Sequence, residues 1–188
     1  IVRQIQTTAG ATRYFYSIEP GAYTFAGKIA ADMDKNLVVS RATATLADGK
    51  AYSYYISGIY NMTAKTAEAF VLEDAFVDTL DYTVAYVRFV NAISNASPMT
   101  LYARNPTTGV ELPVGGAVAY KAGGAFTALP GAVYDLNTRT AGSTTNAITR
   151  TAVSFVAGKV YTIGARGDIT VVSTTLATRP QLDNTANR

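Results

Sequence analysis

The chain has 188 residues, 48% of them hydrophobic, and sixteen Lys and Arg against thirteen Asp and Glu give a net charge of +3. That apolar content is ample for a core and excludes wholesale disorder. The basic residues are spread singly from Arg3 to Arg188, which excludes the clustered patch of a nucleic-acid binder. There is no Cys and no His, so disulfides, thiolate catalysis, most zinc sites and the commonest general base are absent.

No run reaches the ~18 apolar residues of a membrane-spanning helix. The chain begins at Ile1 rather than Met, which points to upstream residues removed by processing or by deliberate truncation. Short β-branched and aromatic runs then alternate with Gly, Pro, Asn and Asp turns, the pattern of antiparallel β structure. In chain order it predicts strands over Ala22–Ala31, Leu37–Leu46, Ala51–Tyr60 and Thr66–Asp74. The acidic stretch Glu73–Tyr82 reads as a linker. Further strands are expected over Thr83–Ile93, Met99–Arg104, Ala125–Leu129, Ala132–Ala141, Ile148–Val156, Val160–Gly167 and Ile169–Thr178. Alternation places Tyr134 and Leu136 inward, with Asp135, Asn137 and Arg139 toward water. Thr66–Phe76 could be argued as helix; without a cap, and matched to the β-branched Ile169–Thr178, it reads as strand.

An internal repeat organises these strands. Pro20-Gly21-Ala22 matches Pro130-Gly131-Ala132, and Gly49-Lys50-Ala51-Tyr52 matches Gly158-Lys159-Val160-Tyr161, at nearly equal spacing in both copies. The first copy has only Ile1–Glu19 before its proline where the second has Thr83–Leu129, a deficit of about 28 residues. It lacks the counterpart of Ala85–Ala92 and of the strand that follows. A sandwich without its first strands exposes core and an unpaired edge. Either the chain is a truncated piece, or another chain fills the gap by strand donation, with Ile1–Ala11 and Thr174–Arg188 as candidate donors.

The run Tyr86-Val87-Arg88-Phe89-Val90-Asn91-Ala92, then Ser97-Pro98-Met99-Thr100-Leu101-Tyr102, Leu129-Pro130-Gly131 and Ala157-Gly158-Lys159-Val160-Tyr161-Thr162 resembles a bacterial family of exported repeats, the domain-of-unknown-function family forty-three ninety-seven. The second copy is similar to it along nearly its whole length, the first from about Tyr14 to Asp74. The resemblance implies tandem β-sandwiches on proteins sent across the inner membrane, often lipid-anchored. It implies no activity and no catalytic residue. No lipobox cysteine is present in this chain.

Candidate chemistry is thin. Asp32-Met33-Asp34-Lys35-Asn36 begins like a calcium loop, but Leu37 stands at the glycine position and Thr43 at the closing glutamate, so a plain turn is expected. Tyr52, Tyr54, Tyr55 and Tyr60 could form a sugar-stacking platform. Because Tyr52 matches Tyr161, Tyr52 and Tyr54 are expected in the core, leaving Tyr55 exposed. No Ser lies in a nucleophile elbow, and Glu73 and Asp74 sit in the linker without an apolar pocket. Gly115-Gly116 and Gly123-Gly124 bracket Val118-Ala119-Tyr120 without a phosphate-binding helix. Asn61-Met62-Thr63 and Asn95-Ala96-Ser97 read as turns.

The sequence therefore predicts an all-β chain of two tandem Ig-like or transthyretin-like antiparallel β-sandwich domains. Residues 1–75 form a first, N-terminally incomplete repeat, 83–180 a second, and 181–188 a C-terminal tail. No catalytic residue, cofactor or metal site is expected. The expected function is a non-enzymatic extracellular or cell-surface structural or adhesive protein, a self-assembling filament subunit partnered with itself or other surface components. The alternative is a periplasmic or lipid-anchored binding module for a glycan or small ligand.

Overall fold

The computed structural model describes residues 15–187. The protein is all-β: the described residues form thirteen strands and no helix. Among the described residues, no helix is long and apolar enough to cross a membrane.

The first half is two antiparallel hairpins. β1 (Gly21–Lys28) pairs with β2 (Val38–Leu46), and β3 (Tyr52–Asn61) pairs with β4 (Thr66–Glu73). β4 confirms strand over the segment that could have been helix. The hairpins face each other through one side of β3, where Tyr54 stacks on Phe25 at 5.7 Å and shares a hydrogen bond of 2.9 Å with the Ser40 hydroxyl. Gly27 lets this contact close, because a Cβ there would stand 2.4 Å from Ser40 Oγ and 2.6 Å from Ile56 Cδ1.

The second half is a two-sheet sandwich. β5 (Val84–Asn91), β6 (Met99–Arg104), β7 (Glu111–Val118), β8 (Ala122–Gly123), β9 (Thr127–Pro130), β10 (Ala132–Thr140), β11 (Ile148–Phe155), β12 (Val160–Arg166) and β13 (Gln181–Ala186) divide between them. One sheet runs β11-β10-β6-β7; the other runs β13-β12-β5-β8, with β9 also on β5. The core lies between them and includes Val87, Phe89, Leu101, Tyr134, Leu136, Phe155, Tyr161 and Ile163. β12 and β5 are parallel, so this sheet is mixed rather than purely antiparallel.

Several expectations are corrected. Ile169–Thr178 is not a strand. Gly167 adopts φ of +107°, Asp168 caps a tight turn by accepting from the Thr170 amide, and Val172 is 96% exposed. The β-branched run there mimicked a strand but has no sheet to enter. The partner of β12 is β13, inside the segment read as a tail. β13 and β7 escaped notice because both are edge strands: β13 is polar apart from Leu182 and the terminal Ala186, and β7 carries Pro113 and Gly115-Gly116, which an edge tolerates. Tyr134 and Leu136 are buried as expected, but so is Asn137, whose side-chain oxygen accepts from Asn146 Nδ2 and Thr149 Oγ1, both at 3.0 Å. Arg139 is half-buried, held bidentate by Glu111 over the Tyr102 ring.

Nor is Glu73–Tyr82 a free linker. Asp74 is buried and ion-paired with the buried Arg88 of β5. The outer face of the β3–β4 hairpin packs on the outer face of the five-stranded sheet, with Phe70, Tyr55 and Leu72 against Val90 and Ala92.

Candidate functional site: open strand edges in the first half

Repeated side-chain bonds show which positions of the two halves correspond. The Tyr52 hydroxyl accepts from the Ala47 amide at 3.2 Å, and the Tyr161 hydroxyl from the Val156 amide at 3.0 Å, five residues back in each case. The Tyr23 hydroxyl donates to the Glu19 carbonyl at 2.7 Å and Tyr134 to the Pro130 carbonyl at 2.9 Å, four residues back. Glu19, not Pro20, thus stands at the place of Pro130, one residue from the match that the two prolines suggest. Strand register agrees, since Gly21 faces Leu46 as Ala132 faces Phe155.

On this correspondence β1–β2 matches β10–β11 and β3–β4 matches β12–β13. What differs is the other edge of each hairpin. β10 is flanked by β6, and β12 by β5. Among the described residues, β1 pairs only with β2 and β3 only with β4. The consequence is visible in side chains that share a position: Ile56 is 50% exposed, whereas Ala165 is 0% exposed. Tyr23, Phe25, Tyr52 and Tyr54 are half-buried, while Tyr134, Leu136, Tyr161 and Ile163 are buried. Farther along β3, Ile59 and Tyr60 are exposed. An edge of this kind presents unpaired N–H and C=O groups beside apolar side chains, which is what an added strand needs.

Of the two segments singled out as donors, Thr174–Arg188 is already engaged: its Gln181–Ala186 part pairs along its length with β12. Ile1–Ala11 lies outside the described residues.

The junction between halves holds a buried ionic network that the sequence did not reveal. Arg88 donates from Nε to Thr162 Oγ1 at 3.0 Å, from Nη1 to the Glu73 carbonyl at 3.1 Å, and from Nη2 to Asp74. Asp74 also accepts from the Ser53 hydroxyl at 2.7 Å, and Arg88 lies 4.9 Å from the centre of the Phe126 ring. Tyr55, expected at the surface, stacks on Phe70 at 4.9 Å in this layer; burial raises the pKa of its phenol, and the nearby guanidinium opposes that. Tyr120 meets the same layer, sharing a hydrogen bond of 3.0 Å with Ser57, and Lys121 pairs with Glu68. Their signal was hidden, because Tyr120 and Lys121 sit in a turn between glycine pairs.

The remaining candidates resolve into structure. Asp34 takes left-handed φ of 58° and receives Lys65 Nζ on both oxygens at 2.8 Å, so its carboxylate serves the neighbouring turn. Among the described residues, no three Asp, Glu, His or Cys side chains converge. Tyr54 and Tyr55 point to opposite faces and each stacks on a Phe, which leaves no flat platform. Asn61 caps its own turn by accepting from the Thr63 and Ala64 amides, and Asn95 bonds to Asp168. Gly123 allows close approach of Leu72 and Val90, not of a phosphate. A shallow hollow of about 340 Å³ opens along β1 and β2, lined by Ala22, Tyr23, Thr24, Thr43, Ala44 and Thr45. No protein-family model matches the chain, and no curated protein is found to be similar to it.

Proposed function

We propose that the chain is a non-enzymatic, exported structural or adhesive surface protein made of two tandem β-sandwich repeats, and that it assembles with copies of itself by strand complementation. The observation that carries this reading is the contrast between equivalent edges: β12 and β10 are covered by β5 and β6, while β3 and β1 are open among the described residues. A strand from a neighbour would satisfy the backbone groups and cover Ile56 and the aromatic residues beside it. Such a contact is heterologous and builds an open chain unless its rotation closes. The lack of His and Cys and the resemblance to exported repeats fit a role in architecture rather than catalysis.

The test is the assembly state of the purified chain by light scattering and electron microscopy across a range of concentrations. Filaments or a concentration-dependent ladder are expected. A monomer at every concentration, with the β3 edge amides freely exchanging with solvent, would remove the reading.

A further inference from the structure

We infer that the outward face of the β1–β2 hairpin packs on the same face of a second copy of the chain, the strands of the two copies running in opposite directions. This contact is made by side chains on a sheet face and uses none of the open strand edges.

The pleat sets which residues the face carries. Phe25 and Ser40 turn inward, where both meet Tyr54. Register puts Ala42 opposite Phe25 and Ala44 opposite Tyr23, on the same inner side. Alternation then turns Ala22, Thr24 and Ala26 outward, paired across the ladder with Thr45, Thr43 and Arg41. All six are exposed. Apart from Arg41 they are short and uncharged, and the hollow of about 340 Å³ runs along them. The matching face of β10–β11 is built differently. There Asp135 accepts from the Ala152 amide, Asn137 accepts from Asn146 and Thr149, and Arg139 is gripped by Glu111, so its polar groups are engaged within the chain.

Charge identifies what covers the face. Between residues 15 and 74, Asp32 pairs with Lys35, Asp34 with Lys65, Glu73 with Lys50, Glu68 with Lys121 and Asp74 with Arg88. The charged residues left outside these pairs are Glu19, Lys28, Arg41 and Asp48, all exposed. The hairpin sorts them by sign. Lys28 and Arg41 lie toward its turn, while Glu19 and Asp48 lie just beyond the other end, where Gly21 faces Leu46. A two-fold axis through Thr24 and Thr43 therefore lays each basic end over an acidic end. Thr24 meets Thr24, Ala22 meets Ala26, Lys28 lies beside Glu19, and Arg41 lies on the side of Asp48. Stacking the two faces in the same direction would oppose like charges, so the charges fix the orientation. A second copy carries the required reversed pattern by symmetry.

Size sets the strength. β1 has eight residues, so the face is about 26 Å long and two strands wide. An interface this small belongs to the weak, transient class, and its exposed charges make it sensitive to salt.

The experiment uses the absence of native cysteine. Thr24→Cys places one thiol on the axis of each full-length chain. Disulfide-linked dimer should form several-fold faster than from Ser154→Cys, on the matching face of the second half, and should slow as salt is added. In the Thr24→Cys background, Lys28→Glu with Arg41→Glu should abolish the advantage, and so should Glu19→Lys with Asp48→Lys. Mixing those two charge-reversed chains should restore it, as should all four changes in one chain. Restoration separates a charge contact from damage to the fold, and melting temperatures of these exposed variants should be unchanged. The inference is overturned if Thr24→Cys links no faster than Ser154→Cys, or if charge reversal leaves its rate the same. Strand-complemented filaments of the cysteine-free chain with Lys28→Glu and Arg41→Glu should persist, so the face contact and the edge contact fail separately.

Discussion

The hydroxyls of Tyr52 and Tyr161 accept the same bond, each from the backbone amide five residues earlier across the turn that carries Gly-Lys. Tyr86 does likewise with the Asp81 amide at 3.1 Å. A tyrosine at the start of a strand thus ties down the turn before it, and satisfies an amide that the ladder leaves free. Tyr161 is buried while Tyr52 is half-buried, so the two should respond differently to truncation. Tyr161→Phe removes only the hydrogen bond and should cost about 1–2 kcal/mol. Tyr161→Ala should cost about 3–5 kcal/mol, and Tyr52→Ala clearly less. Equal losses for both alanine variants in urea unfolding would contradict the assigned burial.

Arg88 and Asp74 join the halves through a buried ion pair. Removing one partner strands a charge, so Asp74→Ala should destabilise the chain by about 3–5 kcal/mol. Arg88→Met with Asp74→Leu should recover much of that loss, since no charge is left buried. A double-mutant cycle in thermal or denaturant unfolding measures the coupling. Additive single losses would show that the pair is not coupled.

Gly167 ends β12 with φ of +107°, and a Cβ there would stand 2.2 Å from the Arg179 carbonyl oxygen. Gly167→Ala should therefore cost several kcal/mol, on the order of 3, and weaken the β12–β13 pairing as the loop is displaced. Gly49, at φ of +68° with open space around its missing Cβ, is the control: Gly49→Ala should cost about 1 kcal/mol. Hydrogen exchange of β13 amides reads the difference. Faster exchange after Gly49→Ala than after Gly167→Ala would reverse the assignment.

Asp168 accepts from the Thr170 hydroxyl, Asn95 Nδ2 and the Thr170 amide, which together hold its carboxyl below the usual range. A carboxyl with a lowered folded pKa adds stability above its unfolded pKa and loses it as pH falls through the folded value. Carbon-detected NMR titration should find Asp168 titrating at lower pH than an ordinary aspartate. Thr170→Val should move it back up. An unmoved midpoint in Thr170→Val would show that the hydroxyl is not the cause.

Strand chemistry is local, and the sequence by itself determined most of it: the all-β class, the hairpin segments around Thr43, Tyr55 and Phe70, and the inward places of Tyr134 and Leu136 all follow from β-branched and aromatic alternation between turn residues. The aligned repeats also directed attention to the edges of β1 and β3, which among the described residues pair only with β2 and β4. Edges and junctions were another matter. β7 and β13 are polar or Pro-containing runs that become strands only because β6 and β12 offer a ladder, and Ile169–Thr178 remains a loop because no ladder lies beside it. Asp74 read as a linker charge until Arg88 met it from another sheet, and Tyr55 as a surface ring until Phe70 and the second half closed over it. Pairing partners and burial depend on residues distant in sequence, and only the packed chain could supply them.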